Sequence, residues 1–173
     1  MSAPQHALSP EFAVGLRETL LQGLGRELEI TKKVLAAIPE GKRDYRPDPK
    51  ARTAWELAWH LASTDVQMLE EIADRKFVLE PRFKEEPKNV AALVNWYEAH
   101  FPSAMDRVRK LTPEQLCTPV DFYEAFSLPV IFYLSFVNNH SIHHRGQLST
   151  YLRPMGSKVP SIYGGSADEP WKG

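Results

Sequence analysis

The chain has 173 residues, and its 43% apolar and 25% charged side chains match globular averages, which excludes an intrinsically disordered or fibrous protein. Lysine plus arginine (21) nearly balance aspartate plus glutamate (22), leaving a net charge of −1, so the basic excess of a nucleic-acid binder is missing. One cysteine, Cys117, rules out an internal disulfide, and the first ten residues lack the basic start and apolar stretch of a secretory signal, so a reducing cytoplasm is the expected location.

A chain of this length buries about two-thirds of the surface that it exposes when unfolded, enough for one hydrophobic core. The expectation is a single domain over residues 1–173, with a core at about 10–155 and a tail at 156–173 in which Gly164-Gly165-Ser166 reads as loose. The longest charge-free stretch, Ala125 to His144, is too polar in its second half to span a bilayer, so no membrane partner is expected.

Apolar residues recur at helical spacing from about Pro10 to Ile38 (Phe12, Leu16, Leu20, Leu24, Leu28, Leu35), and Pro39 with Gly41 stop the pattern. The following stretch to Lys50 contains Pro47 and Pro49 and no apolar period, so it predicts a long extended crossover rather than a tight turn. Thr53-Ala-Trp-Glu56 is a capping-box sequence, and it predicts a second helix running to about Asp74.

Pro81 and Pro87 break the next segment, after which Asn89 is placed to cap a third helix through Leu93, Tyr97, Phe101 and Val108 to about Leu111. Pro102 falls inside it, which predicts a kink or a division into two shorter helices. Thr112-Pro113-Glu114 predicts a short helical turn through Cys117, and Ser127-Leu128-Pro129 predicts the start of the last long helix, which Arg153-Pro154-Met155-Gly156 ends. No convincing alternating strand is present, so the fold class expected is an all-α four-helix bundle with long crossover connections.

The chemistry concentrates in Asn139-His140-Ser141-Ile142-His143-His144-Arg145-Gly146-Gln147. At about 100° per residue, His140 and His144 differ by about 40° and lie one turn apart on one face, where two imidazoles can converge on one ion. Tyr133, Phe136, Val137, Leu148 and Tyr151 share that stripe, so it faces the core. A third ligand must then come from another element, and His60, on a stripe with Leu57, Leu61, Thr64 and Met68 of the second helix, is the natural donor.

Three neutral imidazoles leave a divalent charge uncompensated and a coordination position open, the arrangement that acidifies a bound water or thiol. His143 projects elsewhere, as an exposed residue or a support for its neighbours, and His6 and His100 read as surface residues. Glu56, one turn before His60, either completes the capping box or orients that imidazole. Trp55 and Trp59 either line a pocket mouth beside His60 or pack the helix, and Cys117, with no neighbouring base, reads as a buried inert thiol.

The run Asp44-Tyr45-Arg46-Pro47-Asp48-Pro49 before the His60 helix resembles the lead-in of the DinB (DinB/YfiT-like) family, and His140 followed by His144-Arg145-Gly146-Gln147 resembles its final-helix signature. Both motifs occur in the family's order, and the resemblance spans roughly residues 10–155. It implies a four-helix bundle in which His60, His140 and His144 bind one divalent metal ion, zinc being the first expectation and nickel, iron or manganese the others. The family's name refers to damage-inducible regulation and implies no contact with DNA.

Relatives that use thiols imply a small-molecule substrate and a low-molecular-weight thiol activated by the ion, in S-transferase fashion, with hydrolysis by activated water as the other chemistry. A metal-containing stress-response binding module without turnover is the alternative from another class. Family habit and the aromatic content also imply a homodimer. For Arg145, Gly146 and Gln147 the ordinary readings are a helix ion pair, a close helix contact and a polar surface position.

Overall fold

A computed structural model describes residues 8–171; His6 therefore lies outside the described residues. The long helices are α1 (Pro10–Ala36), α2 (Ala54–Asp74), α3 (Val90–Arg109) and α5 (Tyr133–Leu152), with a short α4 (Pro113–Cys117) between the last two. Helix α1 starts on Ser9, whose hydroxyl accepts from the Phe12 amide, with Pro10 at the first helical position, where its missing N–H has no intrahelical partner to lose. Helix α2 starts on the predicted capping box: the Thr53 hydroxyl accepts from Glu56 N at 3.1 Å, and the Glu56 carboxylate accepts from Thr53 N at 2.7 Å. Asn89 caps α3 through Ala92 N at 2.8 Å.

Helix α1 packs against α3 and α5, and α2 packs against the same two, so α1 and α2 stand diagonally across the bundle. This explains the crossover at 37–53, since a tight turn cannot carry the chain across the diagonal. Tyr45 O and Arg43 O accept from Ala54 N at 2.8 Å and Trp55 N at 3.0 Å, which fastens the crossover to the first turn of α2. The other diagonal separates α3 from α5 and is bridged by α4 and a hairpin.

That hairpin corrects two expectations. Pro119–Phe122 (β1) and Phe126–Pro129 (β2) pair antiparallel with Val120 opposite Leu128, and β2 occupies the residues predicted to open the last helix. Ser127 caps nothing; a single 3-10 turn, Val130–Phe132, intervenes before α5 begins at Tyr133. The connection turns at Tyr123 and Glu124, with φ of 53° and 60°. Tyr133 fixes the hairpin to α5 because its hydroxyl accepts from Leu128 N at 3.0 Å and donates to Val120 O at 2.7 Å.

Helix α3 runs unbroken through Pro102, so the two-helix alternative is not realised. The core is formed by Leu21, Leu24 and Leu35 of α1, Leu57, Leu61 and Leu69 of α2, Leu93, Tyr97 and Phe101 of α3, and Leu134, Val137 and Leu148 of α5, all buried.

Residues 157–169 do not form the loose tail expected. The Ser157 hydroxyl donates to Ala37 O at 2.6 Å, the Asp168 carboxylate accepts from Val159 N at 2.9 Å and Arg153 Nε at 3.1 Å, and the Ser166 hydroxyl donates to Val159 O at 2.6 Å. Among the described residues no helix is long and apolar enough to cross a membrane.

Candidate metal centre

Helices α2 and α5 are neighbours in the bundle, and the histidines that each turns inward meet between them. His60 Nε2 lies 3.2 Å from His140 Nε2 and 3.2 Å from His144 Nε2. One ligating nitrogen from each of the three rings falls within 4.8 Å of the other two. Nitrogens bound to a single tetrahedral ion at about 2.0–2.1 Å stand roughly 3.3 Å apart, so the spacing about His60 fits an ion held between the rings. His143 points outward and is exposed, its ring meeting that of His144 edge-on at 4.8 Å.

The outer nitrogens show which way each ring is held. His140 Nδ1 lies 2.7 Å from Asp65 Oδ1, His144 Nδ1 lies 3.2 Å from Gln147 Oε1, and His60 Nδ1 lies 3.2 Å from the Thr64 hydroxyl. A carboxylate and an amide carbonyl only accept, so His140 and His144 carry their proton on Nδ1. Their Nε2 lone pairs then point into the cluster towards His60 Nε2, an arrangement that a proton on His60 Nε2 or a cation between the rings satisfies. Donors of this kind, each braced through its other nitrogen, fit a metal ion.

Electrostatics favour the same state. Burial depresses His60 to about 3, with Arg52, His140 and His144 adding to the effect. Burial likewise takes His144 down to about 4, against the upward pull of its bond to Gln147. Both rings are therefore neutral, and ready to ligate, at physiological pH.

Asp65 is the site residue that the sequence reading missed. It is fully buried on α2, with Oδ1 on His140 and Oδ2 accepting from the Tyr97 hydroxyl of α3 at 2.9 Å. Burial raises its carboxyl above the ordinary range, and the bonds to His140 and Tyr97 oppose that rise. The available signal was an acidic residue on a stripe otherwise made of Leu61, Leu69 and Ile72, since an unpaired buried carboxylate is too costly to keep.

The structure meets some of the other expectations and departs from those for Gln147 and Gly146. Glu56 completes the capping box and makes no bond to His60, whose outer nitrogen is met by Thr64 instead. Gln147 is half-buried and braces His144 rather than lying idle on the surface. Gly146 is exposed and a side chain there would meet nothing within 4 Å, so it makes no close helix contact. Arg145 is buried and paired with Glu27 of α1. Cys117 is half-buried with its thiol on Leu8 O at 3.5 Å, and burial pushes that thiol up, as an inert cysteine requires. His100 is exposed and stacks on Trp96 at 4.4 Å.

A groove of about 440 Å³ leads away from His60 along α2. Trp59, Met68, Leu79 and Pro81 give it apolar walls, Ser63, Thr64 and Gln67 line it with polar groups, and Glu71 and Tyr123 stand towards its far end. His60 and Glu71 are eleven helical steps apart, a rise of roughly 16 Å, so the groove admits a small organic molecule lying along the helix. Trp59 thus lines the groove, whereas Trp55 turns its indole N–H to Glu86 at 2.8 Å.

The sequence profile of the DinB family matches residues 6–172. Among solved structures, the chain is similar to a DinB-like protein from Bacillus cereus, at 25% identity over 84% of this chain and 97% of that one, with a TM-score of 0.72. It is also similar in fold to a DinB-like protein from Bacillus subtilis, at 21% identity over 83% of this chain and 97% of that one, with a TM-score of 0.69. A comparison with curated proteins finds no match.

Proposed function

Because the chain belongs to the DinB family, we propose that His60, His140 and His144 hold one divalent ion, zinc first among the candidates, and that the protein uses it to activate a low-molecular-weight thiol for attack on an electrophilic small molecule. The observation that carries this reading is the convergence of the three rings, with His140 and His144 braced by acceptors that leave their Nε2 lone pairs facing His60. A divalent ion bound by neutral imidazoles alone keeps its full positive charge and supplies a Lewis acid that lowers the pKa of a thiol or water placed beside it.

The chain's own residues do the rest. Asp65 and Gln147 hold two of the rings in register, while Trp59 and Met68 give the groove that opens at His60 apolar walls. The groove then orients the electrophile next to the cluster, and its polar groups, Ser63, Thr64 and Gln67, offer hydrogen bonds to it. The homodimer belongs to the same reading, and the exposed apolar side chains Phe12, Phe126 and Phe132 support it.

Metal analysis of untagged protein, followed by a thiol-consumption screen over several thiols and electrophiles, tests the proposal. Stoichiometric metal and metal-dependent thiol consumption are expected. Bound metal with no turnover across the panel selects the non-catalytic binding module, and turnover of esters or amides without thiol selects hydrolysis. Light scattering at micromolar concentration decides between monomer and dimer.

A further inference from the structure

Helix α3 brings no histidine to the cluster, since the one it carries, His100, is exposed and stacked on Trp96. It reaches the site through Tyr97. That side chain is fully buried on the core stripe of α3, one turn from Leu93 and one turn from Phe101, with its ring 5.0 Å from that of Phe101. A phenylalanine would fill the same space and continue the same stripe, so packing accounts for the ring and leaves the hydroxyl to be explained.

The hydroxyl donates to Asp65 Oδ2 at 2.9 Å, and the other oxygen of that carboxylate lies 2.7 Å from His140 Nδ1. Two hydrogen bonds thus join three helices: α3 through Tyr97, α2 through Asp65 and α5 through His140. The last torsion of an aspartate is broad, so a carboxylate held through one oxygen alone still swings. A donor on the second oxygen, fixed to a different helix, removes that freedom. Oδ1 is then kept where the His140 Nδ1–H points, and because a carboxylate only accepts, the Nε2 lone pair is left facing His60 Nε2, 3.2 Å away.

We infer that Tyr97 is a positioning residue for the metal centre: its hydroxyl pins the Asp65 carboxylate from α3, and the pinned carboxylate holds His140 by Nδ1 and aims Nε2 into the cluster. The inference rests on the three-histidine reading above and gives a third helix a part in that site. A tyrosine kept for packing alone needs no such partner in this core. Tyr151 is 3% exposed, and its hydroxyl has no hydrogen-bond partner among the described residues.

Tyr97→Phe tests it, with Tyr151→Phe as the control that strips a buried hydroxyl outside the line; neither touches a histidine or Asp65. Cobalt affinity is read by chelator competition and visible absorption, and the His140 tautomer by imidazole ¹⁵N spectra of metal-free protein. Outer partners of metal-bound histidines carry roughly 10–100-fold in affinity, and Tyr97 stands one bond further out, so a loss of about three- to tenfold is expected for Tyr97→Phe. His140 should at the same time leave its single Nδ1–H form. Tyr151→Phe should retain wild-type values in both measurements.

A wild-type value of either quantity in Tyr97→Phe overturns the inference, as does an equal loss in Tyr151→Phe, which assigns the effect to the removal of any buried hydroxyl. If the wild type binds no cobalt, the three-histidine reading fails, and the imidazole spectra still decide the positioning role: an unchanged tautomer in Tyr97→Phe refutes it. Should Tyr97→Phe not fold, 3-fluorotyrosine placed at position 97 keeps the ring and makes the hydroxyl a stronger donor. Hydrogen bonds in series polarise one another, so the His140 Nδ1–H resonance should then move, and a resonance that stays in place refutes the role.

Discussion

His60 and His144 are held in their neutral forms, at about 3 and about 4, although an unconstrained histidine titrates at 6.5. In metal-free protein the unfolded chain therefore takes up protons below pH 6.5 that the folded chain refuses until about pH 4. Over that window the unfolded state binds more protons, so stability falls as pH falls, and above it these two groups contribute no slope. Urea midpoints of metal-free protein should decline from about pH 7 to about pH 4.5, and His60→Gln should shallow that decline. The same decline in wild type and variant would contradict the assignment.

For the metal itself, His144→Ala should abolish stoichiometric binding while leaving helical circular dichroism intact, because one ligand is lost and no core residue. His143→Ala should bind normally, its ring being outside the cluster. Equal metal content in both variants would exclude His144 as a ligand. The i, i+4 pair and the inward His60 were legible in the sequence because helical periodicity determines which face a side chain takes. Asp65 was not, since its reach to His140 depends on how α2 and α5 cross, and Thr64 and Gln147, one turn from their rings on the same helix, were not because helical spacing does not say which rotamer turns an outer nitrogen towards them.

Among the elements, the long helices could be read from apolar spacing and caps, and their boundaries follow Ser9, Thr53 and Asn89. The hairpin could not. Its turn lacks the Asn-Gly or Asp-Gly pair that normally marks positive φ, placing Tyr123 and Glu124 there instead, and Pro129 mimicked a helix start. A side-chain-bearing residue in the left-handed region costs about 1 kcal/mol, so Glu124→Gly should leave stability unchanged or raise it by up to about that amount. Tyr133→Phe, by contrast, strands Leu128 N and Val120 O and should cost about 1–3 kcal/mol, a drop of several degrees in melting temperature. Melting curves of the two variants that move in the opposite order would show that the hairpin is not anchored through Tyr133.

In the whole molecule, the diagonal placement of α1 and α2 means that the site joins helices brought together by tertiary packing, not by a shared turn. An ion that binds only this folded arrangement stabilises it by mass action, about 2.7 kcal/mol when free metal is a hundredfold above Kd. Chelation of loaded protein should accordingly lower the melting temperature, and His140→Ala should lose that increment and melt lower still than chelated wild type, because Asp65 is then left without its imidazole partner. No shift on chelation of protein shown to be loaded would mean that the ion does not link α2 to α5.

The cluster is built of imidazole nitrogen alone, and the protein's single thiol, Cys117, rests against Leu8 O, lining neither the cluster nor the groove. Peroxide inactivates thiolate-held metals by converting the ligand sulfur to sulfenic and higher acids, and here it finds no sulfur in the coordination shell. The centre should therefore keep its ion through an oxidative challenge that strips zinc from cysteine sites. Loaded protein treated with hydrogen peroxide in the presence of a chromogenic chelator should release no more metal than an untreated control, and a burst of release would show that sulfur takes part in holding the ion.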